Sequence, residues 1–252
     1  MIWYIICFIK EVIIKFMNMT NEALNPNILI WVIFIGFTLL SWIVGKTLKN
    51  KFKKYSAIGT ANGMSGKEVV EKMLRDNGIT GVSIGSVSGK LTDHYNPVNK
   101  TINLSHEVYN GRSIAAAAVA AHECGHALQH ANAYGPLKLR SNLVPIVSFA
   151  SHWMQWLLLA GILLVNSFPS LLLAGIILFG LTTLFSLVTL PVEINASHRA
   201  LAWLRNSGIT TYETQGAAGD ALKWAAYTYV VAALSSLATL LYYIMIFLGN
   251  RN

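Results

Sequence analysis

Charge is what this chain has least of. Only 12% of its 252 residues are Asp, Glu, Lys or Arg, and mean hydropathy is +0.49. An ordinary soluble domain carries about 25% charged residues, so that class is excluded. Acid is scarcer than base, 11 residues against 19, which leaves a net charge of +8. The lysines gather beside apolar segments, so the excess does not read as a nucleic-acid surface and no nucleic-acid partner is expected. Cysteine is nearly absent. Neither Cys7 nor Cys124 has a disulfide partner in prospect. A signal-peptide cleavage pattern is missing as well. The apolar stretch Met1–Met17 is broken by Lys10, Glu11 and Lys15, and it reads as an interfacial helix, with an extra span left open.

Long apolar runs are what the chain has instead. Four are long enough to cross a bilayer, which takes ~20 residues: 28–44, 143–165, 171–190 and 225–248. Only Asn166-Ser-Phe-Pro-Ser170 separates the second from the third, so those two form a hairpin. Lys46, Lys49, Lys51, Lys53 and Lys54 follow the first run directly, and the positive-inside rule places them in the cytoplasm. The expected organisation follows. Residues 1–27 form the N-terminal segment, 28–45 the first transmembrane helix and 46–142 a cytoplasmic domain. Residues 143–190 form the hairpin, 191–224 a second cytoplasmic segment, and 225–252 the fourth transmembrane helix and tail. The fold class expected is mainly α and membrane-integral, with about four transmembrane helices. To these is added a cytoplasmic α+β domain with a small antiparallel sheet.

Within 46–142, Ser65-Gly-Lys-Glu68 is a capping box, followed by Val69, Val70, Met73 and Leu74 at helical spacing. Val82–Val87 and Thr101–Leu104 alternate as strands do, the second after the turn-like Asn96-Pro-Val-Asn99. An edge strand of such a sheet could hold an extended peptide, or the hairpin could simply cover a helix. The alanine-rich run from Ser113 then leads into His122-Glu123-Cys124-Gly125-His126. On a helix, positions i and i+4 share a face, so the two imidazoles can reach one ion while Glu123 faces its water. This is the zincin arrangement, in which a zinc ion activates water and a carboxylate serves as general base. Cys124 lies about 200° round the helix from His122 and is expected to pack in the core.

A third ligand must come from elsewhere. His130 sits ~12 Å along the helix from His122, too far to share the ion. Glu193 is the sole acid between Glu123 and Glu213, and it follows the third apolar run directly. It reads as a His₂Glu ligand or as a solvated helix-end charge. His198 is the rival ligand, or a residue that touches substrate or the oxyanion. His152, inside the second run, is either functional or a neutral histidine capping a helix contact. Apart from it the spans are nearly bare of charge, which argues against a transporter.

Leu91-Thr-Asp-His-Tyr-Asn-Pro97, Ser113–Gln129 and Leu190-Pro-Val-Glu-Ile-Asn-Ala-Ser197 together resemble the neutral zinc metallopeptidase family of bacterial membrane proteins. The resemblance extends from about residue 30 to the C-terminus, including Ala225-Ala-Tyr-Thr-Tyr-Val230. More distantly, it is similar to the membrane-embedded CaaX prenyl-protease and heat-shock membrane protease group, where a Glu-x-x-Ala segment supplies the third zinc ligand. What the resemblance implies is a gluzincin-like site, with His122, His126 and Glu193 as ligands and Glu123 as base. Asp93, His94 and His198 are candidates for substrate or oxyanion contact. Asn195 and Ser197 stand where those relatives lead one to expect aspartate. The expected activity is zinc-dependent endopeptidase cleavage of membrane-associated or membrane-proximal proteins, in a bacterial plasma membrane with the site facing the cytoplasm. The alternative is an inactive assembly or substrate-binding protein of the same fold, against which the intact Glu123 argues. Substrate and oligomeric state are not encoded in these motifs.

Overall fold

The computed structural model describes residues 26–249, so the Met1–Met17 segment and Cys7 lie outside the described residues. In chain order the elements are α1 (Pro26–Ser56), α2 (Gly66–Asp76), β1 (Ser83–Val87), β2 (His94–Asn96), β3 (Thr101–Ser105), α3 (His106–Tyr109), α4 (Ile114–Ala131), α5 (Gly135–Leu163), α6 (Pro169–Asn206) and α7 (Tyr212–Gly249).

The four apolar runs are α1, α5, α6 and α7, each long and apolar enough to cross a membrane. With 38 residues each, α6 and α7 are ~57 Å long, well beyond the ~30 Å hydrocarbon layer. Each helix runs on past its apolar stretch, α1 to Ser56, α5 from Gly135, α6 to Asn206 and α7 from Tyr212. Proline does not stop α6 at Pro191. Pro191 lacks one backbone donor, and the helix continues because Val192, Ala196, Ala200 and Leu204 are buried along one stripe beyond it.

One compact unit comprises 26–40, 145–184 and 232–249 among the described residues. Leu29 and Ile33 pack there with Tyr242, and Leu158 with Leu172 and Ile176. The α5–α6 hairpin is tight: a Cβ on Gly161 would stand 2.5 Å from the Leu172 Cα. Trp31, Phe34, Trp153 and Trp156 remain more than half exposed, as lipid-facing side chains are. His152 turns Nδ1 to the carbonyl of Ser148 at 2.8 Å, so it is satisfied by its own helix.

The second unit comprises 41–144 and 185–231. Its core joins Val69, Val70 and Met73 of α2, Ile102 and Leu104 of β3, the alanines and Cys124 of α4, Leu204 of α6 and Leu222 of α7. Cys124 is fully buried in it. The capping box forms as expected: Ser65 N donates to Glu68 Oε2 at 2.6 Å, and Glu68 N to Ser65 Oγ at 3.4 Å.

The sheet is mixed, not antiparallel as expected. Its order is β1-β3-β2, with β1 parallel to β3 and β2 antiparallel to β3. The turn expected at Asn96–Asn99 does form, with Asn96 Oδ1 accepting from Val98 N at 2.9 Å, but it joins β2 to β3. That hairpin reverses the chain once. The crossover after β1 reverses it again, so β1 and β3 end up parallel.

Candidate metal centre

Helix α4 begins where Ser113 Oγ accepts from Ala116 N at 3.3 Å, and its alanines let neighbouring elements approach closely. At Gly125 the approach is at its limit. A Cβ there would lie 2.7 Å from the carbonyl oxygen of Ala196 on α6. The glycine thus lets α6 lie against the motif turn, and Glu193, one helical turn before Ala196, reaches the histidines.

Nε2 of His122 is 3.2 Å from Glu193 Oε2, and Nε2 of His126 is 3.6 Å from the same oxygen. The three ligand atoms lie within 4.8 Å of one another. Zinc bonds of ~2.0–2.2 Å at tetrahedral angles separate two ligands by ~3.3 Å, so this donor set fits that ion.

The ring tautomers follow from the bonds behind them. Gln129 Nε2 donates to the Val192 carbonyl at 2.8 Å and to Asn195 Oδ1 at 3.0 Å. Its Oε1 therefore accepts from His126 Nδ1 at 3.0 Å, and Nε2 keeps the lone pair that a metal needs. Asn195 is pinned in turn by Arg199 Nε at 2.8 Å. On the other imidazole, Ser197 Oγ lies 3.1 Å from His122 Nδ1. Both positions where aspartate is expected from relatives thus stand behind the ligands, with neutral side chains. The remaining oxygen of Glu193, Oε1, is 3.6 Å from Arg140 of α5. Glu193 is almost wholly buried between them. Burial opposes the charged form of His126. The hydrogen bond to Glu193 and the charges of Glu123 and Glu193 outweigh burial, so its pKa lies above the ordinary imidazole value.

Two hollows meet at these residues. One, of about 170 Å³, has the apolar walls Leu91, Val119, Leu222 and Ala226. The other, of about 210 Å³, is lined by His94, Tyr95, Arg140 and Ser141. Asp93, Glu123, Glu193 and Tyr229 line both.

Residues 30–248 match the family described as "Putative neutral zinc metallopeptidase". The chain belongs to that zinc metallopeptidase family. It is also 43% identical over 224 residues to "Putative membrane protease YugP" of Bacillus subtilis (strain 168), covering 87% of this chain and 99% of the relative. No solved structure matches. Membership in the zinc metallopeptidase family and four apolar helices make the chain an integral membrane protein of a zinc hydrolase family.

Of the candidates read from the sequence of this metallopeptidase-family chain, His122, Glu123, His126 and Glu193 come together. Asp93 borders the same place, but its carboxylate accepts from Ser105 N at 2.7 Å and Ser105 Oγ at 3.1 Å, which fixes the loop before β2. His94 lines the polar hollow and is held by the Thr92 carbonyl at 2.9 Å and Asn103 at 3.2 Å. His198 is exposed and lines neither hollow. His130 bonds Tyr95 Oη at 2.7 Å instead of joining the ligands. Arg140, Gln129 and Tyr229 were not foreseen. Gln129 could have been found by asking what holds Nδ1 of His126 from one turn further along its helix. Arg140 and Tyr229 carry no such spacing signal.

Proposed function

We propose that this chain is a membrane-integral zinc endopeptidase that cleaves membrane-associated or membrane-proximal protein segments on the cytoplasmic side of a bacterial plasma membrane. One observation carries the reading: two imidazole nitrogens and one carboxylate oxygen converge on a point that Glu123 and Tyr229 also border. His122, His126 and Glu193 hold the metal. A zinc ion there would polarise the scissile carbonyl and lower the pKa of water from 15.7 to roughly 7. Glu123 removes the proton of the attacking water and passes it to the departing amine. Tyr229, whose side chain interacts with Glu193, donates its phenol hydrogen to the carbonyl oxygen as negative charge builds there. Arg140 faces Oε1 of Glu193, and Oε2, beside both imidazoles, is the oxygen that would help hold the ion. The Glu-x-x-Ala segment at Glu193, which resembles that of the prenyl-protease group, supports the same ligand set.

The substrate is an extended strand. It spans both hollows, with an apolar residue on the Leu91–Val119 side and a polar one on the Arg140–Ser141 side, and it lies along the edge strand β2. The cytoplasmic orientation rests on the lysines that follow the first span. Purified Glu123→Gln should keep its zinc and lose turnover by ~10²–10⁴. Unchanged proteolysis would remove Glu123 from the chemistry, and loss of zinc would make it a structural residue. Tyr229→Phe should lower kcat with KM held, by ~10²–10³ if the phenol stabilises the oxyanion.

A further inference from the structure

The largest of the hollows described here is not the metal centre. It has a volume of about 1050 Å³, at or above the ~300–1,000 Å³ typical of ligand sites. Four cations converge on it from three separate segments: Lys49 and Lys53 of α1, Lys90 of the loop after β1, and Arg112 just before α4. Glu107 is its one acid. It pairs with Lys90 at 2.7 Å, and Arg112 reaches Glu68 at 3.1 Å. Lys49 and Lys53 have no ion-pair partner among the described residues.

The positive-inside rule explains lysines on α1. It does not explain Lys90 and Arg112, which the folded domain brings to the same hollow. The start of α4 adds the positive end of a helix dipole, since Gly111, Arg112 and Ser113 form part of the wall. Phe52, Ala57 and Leu91 make the rest of the lining largely apolar.

We propose that this hollow binds the phosphodiester headgroup of an anionic phospholipid. Depth along α1 fits for Lys49, which lies ~7 Å beyond Val44, the last residue of the apolar run, where the headgroup layer occupies roughly 5–8 Å outside the hydrocarbon. Lys53, ~13 Å beyond Val44, stands past that layer and would have to reach back to it with its long side chain. Trp42, with the Lys46 ammonium 4.7 Å from its ring centroid, has the character of an interfacial residue. The apolar lining distinguishes the occupant from free phosphate. A lone anion would leave Phe52 and Leu91 wet, whereas the glycerol and first acyl carbons of a lipid would cover them. Leu91 also lines the apolar hollow at the metal centre, so the lipid would form a wall next to that site.

The test is lipid retention by the purified full chain, read by native mass spectrometry without reference to peptide hydrolysis. The protein is equilibrated with equal phosphatidylglycerol and phosphatidylcholine. Wild type should keep phosphatidylglycerol at least tenfold in preference. Lys49→Gln with Lys53→Gln, mild for folding, should lower that preference about 25-fold, from a factor of about five per lysine charge lost. Lys100→Glu, outside the hollow, should leave it unchanged. Lys49→Glu with Lys53→Glu should lower it further, because repulsion is added to the lost attraction. Equal retention of the two lipids, or retention indifferent to the α1 charges, would overturn the proposal. Displacement by millimolar inorganic phosphate would recast the hollow as a free-anion site. Displacement by an acidic peptide, with phosphatidylglycerol retained weakly, would make it a peptide site.

Discussion

Ser197 Oγ stands 3.1 Å from Nδ1 of His122, on the side of the ring away from Glu193. A hydroxyl thus holds the imidazole at a position where an aspartate was expected from the sequence. It fixes the ring without adding negative charge. Partners behind metal ligands are worth 10–100-fold in metal affinity. Ser197→Ala should therefore weaken zinc binding by about 10–100-fold, and Ser197→Asp should strengthen it relative to wild type. Competition with a fluorescent zinc chelator measures both.

The third ligand separates cleanly from its rival. Glu193 is buried against both histidines, whereas His198 is exposed outside the hollows. Glu193→Ala should strip zinc from the purified protein and lower its thermal midpoint, since an ion held by the proposed ligands would join α4 to α6. His198→Ala and Glu213→Ala should keep a full equivalent by metal analysis. Retention in Glu193→Ala with loss in His198→Ala would establish a three-histidine site.

The close approach at Gly125 predicts a steric lesion. The Cβ of Gly125→Ala would meet backbone, the Ala196 carbonyl at 2.7 Å, so the helices must separate. Overpacking of this kind costs ~1–3 kcal/mol. Zinc affinity should fall as well, because Glu193 moves with α6. A variant with wild-type stability and zinc content would show that α6 is not held by this contact.

The raised pKa of His126 sets a pH dependence. In the metal-free protein a raised pKa contributes stability that is fully present below the unfolded value and lost as pH rises through the folded one. Zinc requires the neutral ring, so the proton and the ion compete. The thermal stabilisation given by zinc should be greatest above the raised value and shrink as pH falls through it, by roughly tenfold in affinity per pH unit for one proton. Differential scanning fluorimetry with and without zinc, across a pH series, reads both trends.

The lysines of α1 predict topology. A cysteine introduced at Ser56 should resist an impermeant thiol reagent in intact cells, and one at Ser167 should react. The opposite pattern would turn the proposed site to the outside.

The motif helix, the capping box and the four apolar helices were legible because each is a local signal: i and i+4 histidines, Ser65 with Glu68, and uninterrupted apolar length. The sheet was legible only in part: its strands at Val82–Val87 and Thr101–Leu104 were, but their parallel pairing was not. β2 has three residues, too few to show alternation, yet its antiparallel pairing with β3 leaves β3 running parallel to β1. The helix carrying Glu193 was expected to continue past the third run, and α6 does so through Pro191; the burial of Val192, Ala196 and Ala200 that supports it there is not a local signal. Gln129, Arg140 and Tyr229 reach the site from positions whose spacing means nothing until α4, α5 and α7 are packed together.

The pairing of Arg140 with Glu193 changes the electrical character of a zinc-loaded site. Two positive charges from the ion and one from Arg140, less one each from Asp93, Glu123 and Glu193, leave a formal charge of zero. Without the guanidinium the sum is −1, and a centre of that charge would draw lysine or arginine side chains placed next to the bond. Arg140 would thus remove a bias toward basic neighbours before any side chain is recognised.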